Sequence, residues 1–123
     1  MAGTVAADVL MDGAGNSTAM DNAIYGSAKA WVNYNGSSTT IRASYNVSSI
    51  TRNAAGNYTI NFTNAFSDAN YCAVGMTGNT SSYGQVLDIY GAQAAPTTTT
   101  LSICTNNTSS LFDVSYINVA IFR

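Results

Sequence analysis

Few side chains in this sequence could do chemistry. Its six carboxylates are all aspartate, at Asp8, Asp12, Asp21, Asp68, Asp88 and Asp113, spread along the chain. Histidine and glutamate are absent. That removes Ser-His-Asp and Cys-His catalysis and the usual zinc sites. Glycoside hydrolysis needs two opposed carboxylates roughly 5–9.5 Å apart, and no local pair of aspartates suggests one. The expectation is a protein that is not an enzyme and carries no cofactor and no metal.

Asp12-Gly13-Ala14-Gly15-Asn16 has a superficial likeness to a calcium loop. It lacks the closing Glu and the ligand spacing of such loops, so it reads as a plain turn. The two cysteines, Cys72 and Cys104, read as buried free thiols, because free Cys behaves as a small hydrophobe. Cys72 shares a face with Val74 and Met76. Cys104 falls opposite Leu101 and Ile103, so the pattern does not favour pairing the two.

Neutral groups are plentiful instead. Only 8% of residues are charged and the net charge is −2, so surface polarity rests on Ser, Thr and Asn. Lys29, Arg42, Arg52 and Arg123 are the only cations. Scattered as they are, they make no basic patch, and nucleic-acid binding is not expected. Eight tyrosines among neutral hydrogen-bonding groups could form a carbohydrate surface. They fit ordinary strand composition equally well. The polar connection 77–84 and its surroundings supply the candidate ligand-binding residues: Asn79, Ser81, Ser82, Tyr83 and Gln85. Trp31, the one tryptophan, reads as a core or interface anchor in preference to a sugar platform. Eight N-x-S/T triplets, at Asn16, Asn35, Asn46, Asn57, Asn61, Asn79, Asn106 and Asn107, follow from a composition rich in these residues.

These groups are carried by strands. Residues 41–48 alternate, with Ile41, Ala43, Tyr45 and Val47 on one side. After residues 53–57 the alternation resumes at Tyr58, Ile60 and Phe62, which predicts a hairpin. Residues 29–34 place Ala30, Val32 and Tyr34 opposite Trp31. Further strands are expected at 71–76, 86–90 and 97–105. The last run, 113–122, is apolar on both faces: Val114, Tyr116, Ala120 and Phe122 one way, Ile117, Val119 and Ile121 the other. Such a strand is buried on both sides, and in a chain of 123 residues one side could face another subunit. The expected fold is all-β, about seven antiparallel strands in a small sandwich, with no helix. Residues 1–27 read as a weakly patterned extension and residues 28–123 as the domain. The start of the chain lacks a basic run before a long apolar one, so no cleaved leader is expected. Nor is insertion into a membrane, since no apolar stretch is long enough for a spanning helix.

The run Lys29-Ala30-Trp31-Val32-Asn33-Tyr34-Asn35-Gly36, followed by Ile41-Arg42-Ala43-Ser44-Tyr45-Asn46-Val47-Ser48-Ser49-Ile50, resembles the C-terminal domain of many phage tail-fibre and related virion proteins. So do Gly56-Asn57-Tyr58-Thr59-Ile60-Asn61-Phe62 and Asp68-Ala69-Asn70-Tyr71, and the ending at 113–122 is similar to theirs. The likeness covers 28–76 well and 113–123 loosely, and it is specific over the first span. It implies a β-rich fibre tip in the virion, a homotrimer that meets host surface polysaccharide or lipopolysaccharide without cleaving it. The other reading is a purely structural virion module: a fibre cap, baseplate or capsid-decoration part. Residues 77–110 match no motif of the family, so no binding residue is carried over. Residues 1–27 lie outside the pattern, as a shaft remnant or extension.

Overall fold

In a computed structural model the chain is all-β, with antiparallel strands in three sheets. The structure describes residues 3–80, 85–107 and 109–123. Eleven strands are present among the described residues. In chain order they are β1 (Val9–Met11), β2 (Ser17–Ala19), β3 (Ala30–Tyr34), β4 (Ile41–Tyr45), β5 (Val47–Ala54), β6 (Asn57–Phe62), β7 (Cys72–Gly78), β8 (Val86–Ile89), β9 (Thr100–Asn107), β10 (Ser110–Leu111) and β11 (Tyr116–Phe122). One short helix, α1 (Met20–Gly26), follows β2. The sequence pattern predicts about seven strands and no helix. The additional strands are mostly very short, and seven helical residues span too few turns to show a period.

Two sheets face each other across one core. The first has the order β4-β3-β11-β7, and the second runs β10-β9-β6-β5 with β8 also paired to β9. Alternation decides which side chains go inside. Ala30, Val32 and Tyr34 of β3 meet Ile117, Val119 and Ile121 of β11 on the inner side. Tyr58, Ile60 and Phe62 of β6, with Leu101 and Ile103 of β9, supply the other wall. Tyr34 and Tyr58 touch edge to face across the layers, with ring centroids 5.6 Å apart. Phe62, Phe66 and Tyr71 close a second part of the core with ring centroids 4.8 to 5.9 Å apart.

The expected strand over 41–48 is two strands in different sheets. Asn46 separates them with a φ of 54°, a left-handed conformation that Asn tolerates better than most residues. Its amide donates to the carbonyls of Lys29 and Asn64, both at 3.2 Å, and its Oδ1 accepts the Asn64 N–H at 2.8 Å. The chain therefore turns a corner from one sheet to the other. A register shift between Asn33 and Tyr34 breaks the expected face as well. Ile41 lies opposite Tyr34 and packs on the core, whereas Ala43 and Tyr45 lie opposite Asn33 and Trp31 on the outer side.

The cysteines also differ from expectation. Both are free, but only Cys104 is buried; Cys72 is exposed. It does share its side of β7 with Val74 and Met76, and that side is the outer one. Val114 belongs to the core instead of sharing a face with exposed Tyr116, because the bend at Ser115 resets the alternation before β11 begins.

Residues 9–26 form a hairpin followed by α1. Asp12 holds the hairpin's turn by accepting the N–H groups of Ala14 and Asn16, each at 2.9 Å. Nothing in α1 is buried, and Val9, Leu10, Met11, Ile24 and Tyr25 are all exposed.

Candidate functional site

The predicted binding loop joins the two sheets, since β7 belongs to one and β8 to the other. Ser81, Ser82 and Tyr83 lie outside the described residues, so the structure places only the two ends. Asn79 follows β7 directly. Its Oδ1 accepts the Thr80 N–H at 2.8 Å and the Ser115 hydroxyl at 3.0 Å. That carbonyl oxygen ties the loop's first end to the segment entering β11. Gln85, at the other end, borders a shallow groove with Met76, Thr77 and Val86.

A second groove of about 460 Å³ meets the first at Gly75 and Met76. It lies on the outer side of the β4-β3-β11-β7 sheet, and strand register explains its composition. Tyr45, Trp31, Ala120 and Val74 form one cross-strand row, each opposite the next. Ala43, Asn33, Asn118 and Met76 form the adjoining row. Side chains directly opposite one another share a face, so the rows make one surface, apolar and aromatic with a polar seam.

The seam is fixed from within. Asn33 Nδ2 donates to Asn118 Oδ1 at 2.6 Å. Arg42 donates to Asn33 Oδ1 at 3.2 Å and to the Ser115 carbonyl at 2.8 Å, while its guanidinium lies 4.7 Å from the centre of the Tyr116 ring. Around the seam, Trp31 is 39%, Val74 51%, Tyr45 59% and Met76 75% exposed. Trp31 is therefore no core anchor; it stands on the open side of the sheet. The sequence signal for this surface was the two-sided apolar character of residues 113–122. Its extension over Tyr45 depended on the bulge in β4, which left no trace in the alternation.

The most heavily bonded charged group lies elsewhere. Asp113 accepts from Arg52 Nη2 at 2.6 Å, from the Gly56 N–H at 2.9 Å and from the Tyr58 hydroxyl at 2.5 Å. Burial pushes its pKa up, but Arg52, Gly56 and Tyr58 outweigh burial and hold it below the ordinary carboxylate value. The cluster locks the β5–β6 hairpin to the segment before β11. Sequence offered no hint of it, since Arg52 and Asp113 are 61 residues apart. Among the described residues, no group of three or more His, Cys, Asp or Glu side chains could hold a metal ion. The outer sheet surface can bury apolar area or stack a flat ring, and it presents no carboxylate to a substrate.

Compared with family models, curated proteins and solved structures, the chain matches none.

Proposed function

We propose that this chain is the non-catalytic, receptor-binding distal domain of a phage tail fibre, working as a homotrimer on host surface polysaccharide or lipopolysaccharide. The observation that carries this reading is the open outer side of the β4-β3-β11-β7 sheet. Trp31, Tyr45, Val74 and Met76 form one exposed apolar surface on a chain with few charges. Surfaces of this kind mark sites of association, and assembly with further copies would cover it. The resemblance of residues 28–76 to fibre tips supports the same architecture. Receptor contact is assigned to the loop from Asn79 to Gln85, which leads from β7 in one sheet to β8 in the other. Three copies of a weak sugar site gain affinity through effective concentrations of order mM for short spacings.

The second reading is a purely structural virion module. It is favoured by Asn79, whose carbonyl oxygen already holds Ser115 and Thr80. The test is binding of the labelled chain to a panel of purified bacterial lipopolysaccharides and capsular polysaccharides, with a reducing-end assay alongside. The expected result is saturable binding to some members, weakened by Tyr83→Ala or Gln85→Ala, with no release of sugar. Binding to none of the panel, by a chain that still assembles, would move the structural module ahead. Released sugar would overturn the non-catalytic reading.

A further inference from the structure

Two apolar surfaces of this chain are left exposed. One is the outer sheet surface just described. The other belongs to residues 9–26, where Val9, Leu10 and Met11 of β1 and Ile24 and Tyr25 of α1 are 47% to 64% exposed. A two-stranded hairpin is marginal alone in water, and a seven-residue helix is far below the length that holds itself together. The segment therefore needs a surface to lie on. The hairpin presents an apolar hollow at Leu10 and Met11, bordered by Asp12 and Asn16.

No residue of the segment lines the groove on its own outer sheet. Lys29 pins the junction: its backbone N–H donates to the Ile121 carbonyl at 2.7 Å, and its ammonium caps the helix through the Ile24 carbonyl. A cation at this end of a helix also complements the helix dipole. Held at the end of β3, the segment leaves the sheet, and Trp31, Val74 and Met76 stay exposed.

We infer that residues 9–26 of one copy dock on the outer side of the β4-β3-β11-β7 sheet of the next copy. The contact joins two different surfaces. A contact of that kind either closes into a ring or grows into an open filament. Three copies, each giving its segment to the next, close the ring. This inference rests on the homotrimer reading and names the surfaces that build it.

The test uses the full chain and two variants at exposed positions, Leu10→Lys/Met11→Lys on the segment and Val74→Lys/Met76→Lys on the sheet. Lysine is tolerated on exposed strand edges, and circular dichroism checks that each variant keeps its strands. By sedimentation velocity the unaltered chain is expected as a trimer and each variant alone as a monomer. Mixed together, the variants are expected to form a one-to-one heterodimer, because each retains the surface that the other has lost. A sheet-on-sheet contact gives a different pattern: the segment variant stays associated and the mixture gains nothing. Either of those results, or a monomeric unaltered chain, overturns the inference. A trimer that behaves as expected but binds no polysaccharide leaves this interface standing and removes the receptor-binding function instead.

Discussion

The Tyr58 hydroxyl donates to Asp113 Oδ1 at 2.5 Å, beside the ion pair that Arg52 makes with the same carboxylate. Arg52 and Tyr58 lie opposite one another in the β5–β6 hairpin. Cross-strand neighbours share a face, which is why both reach one acceptor. The Gly56 N–H at the hairpin's tip completes the set. One carboxylate thus fastens both strands and the turn of the hairpin to the chain just ahead of β11.

Replacing that carboxylate should therefore loosen the whole hairpin. Asp113→Asn keeps the shape, but removes the ion pair and weakens the tyrosine's hydrogen bond. Arg52 is 39% and Asp113 20% exposed, so water screens part of the interaction. A loss of about 1–2 kcal/mol is expected, below the 3–5 kcal/mol of breaking a fully buried pair. Denaturant unfolding of the two proteins measures it. Equal midpoints would mean that the pair contributes nothing net.

The same group sets an acid dependence. Its folded pKa lies below the ordinary 3.8, so its contribution is fully present above that value and is lost as pH falls through the lower folded pKa. Asp68, beside Arg123 and the Asn70 N–H, is lowered in the same sense. Stability should hold down to about pH 4 and decline below it. Asp113→Asn should decline less steeply over the same acid range. Thermal melts across that range would show parallel curves if Asp113 titrated normally in the folded chain.

At the alkaline end the sign is reversed. Burial pushes the Tyr34 and Tyr58 hydroxyls well above their ordinary 10.0, and the nearby Asp113 raises both further. Their stabilising contribution is complete below 10.0 and is lost as pH rises above it. Followed by phenolate absorbance, these two rings should ionise only as the fold is lost. Tyr34→Phe and Tyr58→Phe should each remove amplitude from that late phase and none from the early one. Tyr34 offers a further contrast, because its buried hydroxyl has no hydrogen-bond partner among the described residues. Tyr34→Phe should therefore cost little stability, whereas Tyr58→Phe should cost about 1 kcal/mol or more.

How much of this could be read from the sequence depends on how far apart the partners lie. Tyr58, Ile60 and Phe62 announced their buried side by strict alternation, and all three are in the core. Ala30, Val32 and Tyr34 did the same. Alternation failed wherever the backbone left the regular strand. Asn46 turns the corner between sheets, the bulge opposite Asn33 moves Ala43 and Tyr45 outward, and the bend at Ser115 parts Val114 from Tyr116. A register slip of one residue exchanges the two faces, and no composition signal marks it. Of the polar connection expected at 77–84, Thr77 and Gly78 extend β7, and residues 81–84 lie outside the described residues. The sheet surface was not legible, because its rows draw on β3, β4, β7 and β11, which only the topology brings together.

Gly56 gives a steric test of the hairpin's close packing. Its φ is 65°, and a Cβ there would lie 2.4 Å from the Phe112 nitrogen and 2.5 Å from the Thr105 carbonyl oxygen. Both neighbours are backbone and cannot swing aside. Left-handed strain alone costs about 1–2 kcal/mol, so Gly56→Ala should lose clearly more than that. Gly78→Ala is the control, since its nearest neighbour, the Tyr116 Cβ, would be 3.8 Å away. Unfolding midpoints should separate the two variants widely; similar values would mean that the turn can shift to make room.

Cys72 is a native reporter on the proposed interface. It is exposed on the same side of β7 as Val74 and Met76, whereas Cys104 is buried and burial raises its thiol pKa. Thiolate is the reactive form, so Cys104 should stay silent toward a thiol reagent until the chain unfolds. Cys72 should react fast in the dissociated Val74→Lys/Met76→Lys variant. In the assembled chain a neighbour's segment would shield that surface, and the reaction should slow and depend on protein concentration. Dilution shifts an assembly toward free chains, so the rate should rise toward the variant's as the sample is diluted. Equal rates at every concentration would mean that the Cys72 end of the sheet stays open in the assembly, and that the neighbour's segment does not reach it.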